Sequence, residues 1–430
     1  MATIDLQNMG MRVKQASRSL ARACTEQRNT ALHHLADSLQ HCKDEILAAN
    51  AVDIAGAKAH DVQPYFIDRL TLNEGRLNTI ADDVRSVAAL PDPVGEQFDH
   101  TVLPNGLRLH KRRVPLGVLG VIYEARPNVT VDITALSIKS GNAAILRGGS
   151  ETIHTNRALV GAIHGVLRAG GLPADSIQFV DSPDRALINE LLRLHDYVDL
   201  IIPRGGAALH KLCRDNSNIP VITGGIGINH YYVDATVDQA KAVEVIYNAK
   251  VQRPTVCNAL GTLLLQRQVA AEFLPRVIAR LSQAGVSYRC DDAAYEIARR
   301  AAGSSDGQRN WTIERAGEGD FDIEWLSLIL SVKVVDSIDE AIDHITRHGT
   351  GHSDGILSQD AANIARFLNE VDSAAVYANA STRFTDGGQF GLGAEVAVST
   401  QRVHARGPMG LRELTTYKWV AEGDGHVRAG

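Results

Sequence analysis

One cysteine stands where nucleophilic chemistry could be done. Cys257 follows Lys250-Val251-Gln252-Arg253-Pro254-Thr255-Val256 and precedes Asn258. Pro254 has no backbone N–H and closes the helical run before it. A thiol placed just after that break can be exposed, and the guanidinium of Arg253 favours the thiolate, the form that attacks acyl carbons. Of the five cysteines, Cys24 and Cys42 fall in helical packing patterns and read as small buried hydrophobes. An odd, scattered set with no C-x-x-C pair reads as reduced thiols of a cytoplasmic protein, without a disulfide framework or structural zinc.

Three glycine pairs could approach a phosphate: Gly148-Gly149, Gly205-Gly206 and Gly224-Gly225. Taken alone, such pairs are tight turns. Neither a G-x-G-x-x-G fingerprint nor a G-x-x-x-x-G-K-[ST] loop is present, so an ordinary dinucleotide turn and an ATP-binding loop are unsupported. His344, His348 and His352 recur every four residues. Gly349 and Gly351 should break the helix before His352, and no carboxylate completes H-E-x-x-H, so no metal site is expected.

The elements that must position these residues follow from length and pattern. A chain of 430 residues exceeds one ordinary core, and two domains are expected. Apolar residues at 44% and charged residues at 22% suit a soluble globular protein. The net charge of -6 argues against nucleic acid or an acidic membrane as partner. No apolar stretch is long enough to span a bilayer, and the first residues carry no export signal.

The first ninety or so residues read as packing helices, with Val13, Ala16, Leu20 and Ala23, then Leu32, Leu35, Ala36 and Leu39, at helical spacing. Two strand-like runs then flank Asn105-Gly106, a hairpin signal. A charged ribbon of this kind is a poor independent unit and needs a further pairing partner, such as a second subunit. From Leu116 to about Val233 short apolar runs at 117–122, 143–146, 177–180, 198–202 and 219–222 alternate with helices. A second alternation, from about Asp238 to Val376, has strands at 260–265, 332–335 and 373–377 and helices at 269–283 and 337–347. Residues 302–321 read as a loop, and ELTTYKWVAEG as an edge strand. The class is α/β, with parallel sheets covered on both faces and ligands beyond the strand ends.

Several segments are more specific: PLGVLGVIYEARPNVTVD at 115–132, ILRGGSET at 145–152, IPRGG at 202–206, NAKVQRPTVCNA at 248–259, HITRHGTGHSDGI at 344–356, NASTRFTDGGQFGLGAE at 379–395 and STQRVHARGPMGLRELTTYK at 399–418. Together they resemble the glutamate-5-semialdehyde dehydrogenases, or γ-glutamyl phosphate reductases, of the aldehyde dehydrogenase superfamily. The resemblance runs end to end. It implies an aldehyde-dehydrogenase-like fold with a Rossmann-type NADP-binding domain at 1–96 and 114–235. A catalytic α/β domain would cover 236–400, and a bridging or oligomerisation β element 97–113 and 401–430.

It also implies roles. Cys257 resembles the superfamily nucleophile, and Asn128 the asparagine whose amide, with the Cys257 N–H, holds the thioester oxyanion. Arg147, Gly148, Gly149, Ser150, Gly205, Gly206 and Gly225 fall at cofactor-binding turns, and Glu324 resembles the glutamate that contacts the nicotinamide ribose. Acid-forming relatives carry a general-base glutamate before a Gly-Gly pair, where this chain has Thr223. NAD-using relatives place a glutamate where Ser150 stands, so Arg147 with Ser150 suits the 2′-phosphate of NADP, although Glu151 is one residue away. Arg253, Arg383 and Arg406, with His352, are candidates for the phosphate or α-carboxylate of the substrate.

The implied activity is NADPH-dependent reduction of γ-glutamyl phosphate to glutamate 5-semialdehyde through a cysteine thioester, the second step of proline biosynthesis. An NADP-dependent semialdehyde oxidase is the alternative, disfavoured by Thr223. A non-catalytic scaffold for the kinase is disfavoured by the intact Cys257 and Asn128. A separate glutamate 5-kinase would supply the acyl phosphate, and a homo-oligomer is expected.

Overall fold

The computed structural model describes residues 4–60, 64–302 and 311–428. The chain forms two compact units. One comprises Met1–Thr223, Gly391–Ala397 and Met409–Gly430, and the other Gly224–Phe390 and Val398–Pro408. The first passage between them therefore comes at Thr223, ahead of the boundary expected at 235.

The first unit opens with five helices, α1 (Leu6–Leu20), α2 (Thr25–His41), α3 (Lys43–Ala59), α4 (Pro64–Leu70) and α5 (Glu74–Ala89). Side-chain caps set the starts of α1 and α5: Asp5 accepts the Asn8 N–H at 2.9 Å and Asn73 the Arg76 N–H at 2.8 Å. Strands β1 (Gln97–Val102) and β2 (Arg108–Pro115) form the expected hairpin. Gly106 takes the left-handed φ of +88°, and its N–H donates to the Leu103 carbonyl, closing a turn through Pro104 and Asn105.

A parallel sheet follows. Its elements are β3 (Val118–Tyr123), α6 (Asn128–Ser140), β4 (Ala143–Arg147), α7 (Ile153–Ala169), β5 (Ile177–Phe179), α8 (Ala186–Leu191), β6 (Leu200–Arg204) and α9 (Ala207–Asn216), with strand order β5-β4-β3-β6. Every residue of β3 and β4 is buried, which is why they read as unbroken apolar runs. The strand expected at 219–222 is absent as an element. Only Val221 bridges, to Ile201, because Pro220 cannot donate to a ladder.

The second unit holds β7 (Asn229–Val233), α10 (Gln239–Val251), β8 (Leu260–Gln266), α11 (Arg267–Leu281), β9 (Ser287–Cys290), α12 (Asp292–Ala302), β10 (Ile313–Arg315), β11 (Ile329–Val335), α13 (Ile338–His348), β12 (Ser353–Leu357), α14 (Ala361–Glu370) and β13 (Ala375–Ala378). The strands make a seven-stranded parallel sheet ordered β10-β9-β11-β8-β7-β12-β13. The sequence reading grouped β7 with the first alternation, whereas it hydrogen-bonds to β8 and β12. Strand β10 occupies part of the expected loop 302–321, of which 303–310 lie outside the described residues. Strand β12 escaped detection because it starts with polar residues. Ser353 and Asp354 are wholly buried, tied to Thr385 and His230.

The short strands β14 (Ala397–Ser399) and β15 (Gly407–Met409) lie where the chain passes again between units. In the first unit, β16 (Thr415–Glu422) pairs antiparallel with β2. The hairpin's further pairing partner is thus a strand of the same chain, giving a three-stranded sheet ordered β1-β2-β16.

Candidate active site

Cys257 sits in a turn between α10 and β8, closed by the Ala259 N–H donating to the Val256 carbonyl at 3.1 Å. The turn is held from several sides. Asn229 Nδ2 donates to the Cys257 and Ala259 carbonyls, both at 2.7 Å. Lys250 Nζ donates to the Leu260 carbonyl at 2.9 Å. Asn258 Nδ2 donates to the Thr385 carbonyl at 2.9 Å, and Thr382 Oγ1 donates to the Asn258 carbonyl at 2.8 Å. Gly227 passes so close that a Cβ there would lie 1.4 Å from the Cys257 carbonyl oxygen, so only glycine fits.

Two expected cations gather at this turn. Arg253 is exposed and has no ion-pair partner among the described residues. Arg383 donates its Nε–H to Gln252 Oε1 at 2.9 Å. Burial lowers the Arg383 pKa first and the neighbouring Arg253 lowers it further, while Cys257 acts the other way. Glu324 joins the same cluster, accepting the Gly227 N–H at 2.8 Å.

Two other expected substrate contacts do not fit. His352 is wholly enclosed at the start of β12, with Nδ1 2.8 Å from Ser353 Oγ, so its ring belongs to the core. Arg406 is engaged by Asp372, through the carboxylate at 2.6 Å and the carbonyl at 2.5 Å, an ion pair that Arg402 shares. Cys24 also differs from expectation. It is exposed at the N-cap of α2, while Cys213 and Cys290 are the buried thiols.

The histidine repeat separates as the glycines demand. His344 and His348 pack together on α13 with ring centres 4.4 Å apart and planes tilted by 38°, and His352 lies beyond the helix end. Burial pushes His344 down to about 2, and His348 Nδ1 lies 2.7 Å from Asp322. Among the described residues no three His, Cys, Asp or Glu groups converge as a metal site.

In the first unit, Gly205-Gly206 precede α9 directly. A Cβ on Gly206 would meet nothing within 4 Å, so the helix N-terminus is open to an anion such as a pyrophosphate. One donor is already used: the Gly206 N–H donates to Glu124 Oε2 at 3.1 Å. The turn after β4 departs from expectation. The Arg147 guanidinium is buried and donates to the carbonyls of Gly148 at 2.7 Å, Pro183 at 3.2 Å and Asp184 at 3.4 Å. It is therefore not an exposed phosphate ligand. Desolvation lowers its pKa, and Arg185 is near enough to lower it further. Ser150 is exposed, and Gly149 packs against the Glu151 carboxylate. Glu151 does not return to a ligand-facing position, because its Oε1 accepts the Ala125 N–H at 2.7 Å.

That bond holds Ala125 at a φ of +46°, an uncommon conformation for a residue with a Cβ, just before α6. Asn128 starts α6, and its Nδ2 donates to Asp132 at 2.9 Å. Burial pushes Asp132 up to about 7, with Asp83 adding to the rise and the Asn128 bond opposing it. Gly225 has a φ of +84° in the stretch leading to Gly227. Sequence reasoning missed Asn229, Gly227, Lys250 and Glu124. Only Gly227 left a signal, in the Gly224-Gly225-Ile226-Gly227 run, where closely spaced glycines mark close backbone approach.

A cysteine pinned in a turn of one parallel α/β unit, and glycine turns at the strand ends of another, fit an oxidoreductase of the aldehyde dehydrogenase type. Residues 5–297 match the aldehyde dehydrogenase family. The chain is 56% identical to the γ-glutamyl phosphate reductase of Chloroflexus aggregans, over 99% of this chain and 100% of that one. It is 54% identical to that of Escherichia coli O139:H28 over the same shares. The crystal structure of γ-glutamyl phosphate reductase from Thermotoga maritima superposes with a TM-score of 0.94 at 45% identity, covering 99% of this chain and 100% of that one. The chain belongs to the aldehyde dehydrogenase family and, within it, to the γ-glutamyl phosphate reductases. Enzymes of this family use nicotinamide cofactors, and this member acts on a small molecule in amino-acid biosynthesis. Among the described residues no helix is long and apolar enough to cross a membrane.

Proposed function

We propose that the chain reduces L-γ-glutamyl 5-phosphate to L-glutamate 5-semialdehyde and phosphate, with NADPH as reductant and Cys257 as nucleophile. The observation that carries this reading is the pinned Cys257 turn with Arg253 and Arg383 beside it. The Cys257 thiolate attacks the acyl carbon, the bond to the phosphate oxygen breaks, and a thioester forms on Sγ. Arg253, exposed and without an ion-pair partner among the described residues, balances charge on the departing phosphate. The Cys257 N–H is one donor for the oxyanion, and the Asn128 amide keeps the role that the resemblance implies. When bound, the reduced nicotinamide supplies the hydride for the thioester. The resulting thiohemiacetal loses its hydroxyl proton, Sγ leaves, and the semialdehyde is released.

Gly205 and Gly206 at the α9 terminus would hold the pyrophosphate, and Glu324 the nicotinamide ribose. Gly148, Gly149 and Gly225 shape the adjoining turns. The exposed Ser150, where a carboxylate would repel the 2′-phosphate, supports NADPH over NADH. Thr223 cannot serve as a general base for water at neutral pH, so the thioester survives until hydride arrives. This chemistry is the second step of proline biosynthesis, in the cytoplasm. It draws on a separate glutamate 5-kinase for the acyl phosphate, and the protein works as a homo-oligomer. The test is NADP reduction by glutamate 5-semialdehyde, with and without phosphate, in the wild type and Cys257→Ala. Turnover by Cys257→Ala would end the thioester mechanism.

A further inference from the structure

Next to the Cys257 turn, within the second unit, is a cavity of about 230 Å³ lined by Asn248, Gln252, Arg383, Phe384, Asp386 and Gln389. The cavity is continuous with the nucleophile's own supports. Gln252 lies on the cysteine segment, and residues 382–385 are bonded to Asn258 through Thr382 Oγ1 and the Thr385 carbonyl. One wall carries a cation and another an anion. Arg383 uses only its Nε–H, on Gln252, and its two terminal nitrogens have no hydrogen bond among the described residues. Asp386 uses only Oδ1, which accepts the Gly388 N–H at 2.9 Å and the Gln389 N–H at 3.1 Å. Its Oδ2 is unbonded among the described residues. The side-chain amides of Asn248 and Gln389 are also unbonded among the described residues. A pocket with one unused guanidinium edge, one unused carboxylate oxygen and spare amides matches an α-amino acid: a carboxylate and an ammonium on one carbon.

We infer that Arg383 and Asp386 clamp the α-carboxylate and α-ammonium of the substrate, with Asp386 the residue that reads the amino group. This deepens the proposed function and rests on it. The clamp has a chemical consequence. A γ-glutamyl thioester carries an amine on the third carbon from its acyl carbon along its own chain. If that amine is deprotonated, its nitrogen attacks the acyl carbon, the C–S bond breaks, the Cys257 thiolate leaves and the nitrogen loses a proton. The product is the five-membered lactam 5-oxoproline. The same closure on the acyl phosphate breaks the C–O bond and expels phosphate. A carboxylate against the ammonium keeps it protonated and non-nucleophilic, so the clamp would both select the substrate and protect the acyl intermediate.

The experiment compares two aldehydes in the phosphate-dependent oxidation with NADP: glutamate 5-semialdehyde, and 5-oxopentanoate, which lacks only the α-substituents' amino group. Wild type should prefer the amino substrate. In Asp386→Asn, Oδ1 remains to accept from Gly388 and Gln389, so the turn is kept. The kcat/KM for glutamate 5-semialdehyde should fall about 10- to 100-fold, mostly through KM, while that for 5-oxopentanoate stays within about twofold. In the forward direction, with γ-glutamyl phosphate and NADPH, Asp386→Asn should release more 5-oxoproline per NADPH oxidised than wild type. An equal fall for both aldehydes would make Asp386 a turn-forming residue only, and an unchanged lactam ratio would remove the protective role. The first result overturns the clamp, and the second overturns its protection of the acyl intermediate. Failure of wild type to oxidise either aldehyde in the presence of phosphate would instead overturn the proposed function itself.

Discussion

The turn after β4 and the turn before β8 both carry an arginine, yet they treat charge in opposite ways. After β4, Arg147 is buried on three backbone carbonyls and Glu151 is fixed on the Ala125 N–H. Charge there is consumed by the fold, and the exposed feature is Ser150. Before β8 the backbone is what is fixed, by Asn229, Asn258 and the close approach of Gly227, and the charges of Arg253 and Arg383 are left available. A buried guanidinium must find acceptors or lose its place, so an arginine's position in sequence does not say whether it serves the chain or a ligand. Arg406, held by Asp372, resembles Arg147 in this respect.

The largest effect that separates the two turns is on chemistry. Cys257→Ala should bring turnover below detection while thermal stability and NADPH binding stay near wild type, because only the covalent step is removed. Retained turnover would move the chemistry away from the second turn altogether. Next comes the phosphate requirement. Semialdehyde oxidation, followed as initial rates of NADPH absorbance, should drop about 10²- to 10⁴-fold when phosphate is omitted, since Thr223 provides no base for water. Sustained phosphate-free turnover with free glutamate accumulating would show that another group activates water.

Two glycines sharpen the contrast through stability. Gly227→Ala should destabilise by about 1–3 kcal/mol and reduce kcat, because the methyl group must displace the Cys257 carbonyl. Gly206→Ala, with open space around it, should melt like wild type. Equal melting temperatures for both would mean that the cysteine turn is looser than its contacts imply. For the turn after β4, Arg147→Ala should cost about 1–3 kcal/mol in chemical denaturation, leaving the NADPH:NADH preference nearly unchanged. Ser150→Glu should move that preference towards NADH by placing a carboxylate where the 2′-phosphate would lie. A preference that follows Arg147 and ignores Ser150 would reverse the assignment.

The smallest effect is a pH dependence under the cysteine turn. Burial alone pushes Lys250 down to about 7 from the ordinary 10.5. Between those values the unfolded chain binds more protons than the folded one, so stability should rise with pH from about 7 upward, by roughly 1 kcal/mol per unit. Lys250→Met should flatten that slope. A slope unchanged in the variant would assign it to other groups.

Local pattern alone was enough for much of this protein. The packing helices show their apolar spacing, β3 and β4 their unbroken apolar runs, and Pro254 the helix end ahead of Cys257. Backbone geometry and apolar burial act over a few residues, so they leave periodic traces. Motifs pointed to Cys257 and to Glu324, and these meet through Gly227. What only the tertiary structure decided is which polar groups already have partners. Strand β12 hid behind Ser353 and Asp354, whose burial depends on Thr385 and His230, 32 and 124 residues away. His352 was buried just ahead of that strand, Arg147 was taken up by carbonyls 36 and 37 residues along, and Arg406 by Asp372, 34 residues back. Hydrogen bonds and ion pairs are satisfied by whatever the fold brings near, at any sequence distance. Residue type marks a group that can bind or react, and only the folded surroundings determine whether it is still free to do so.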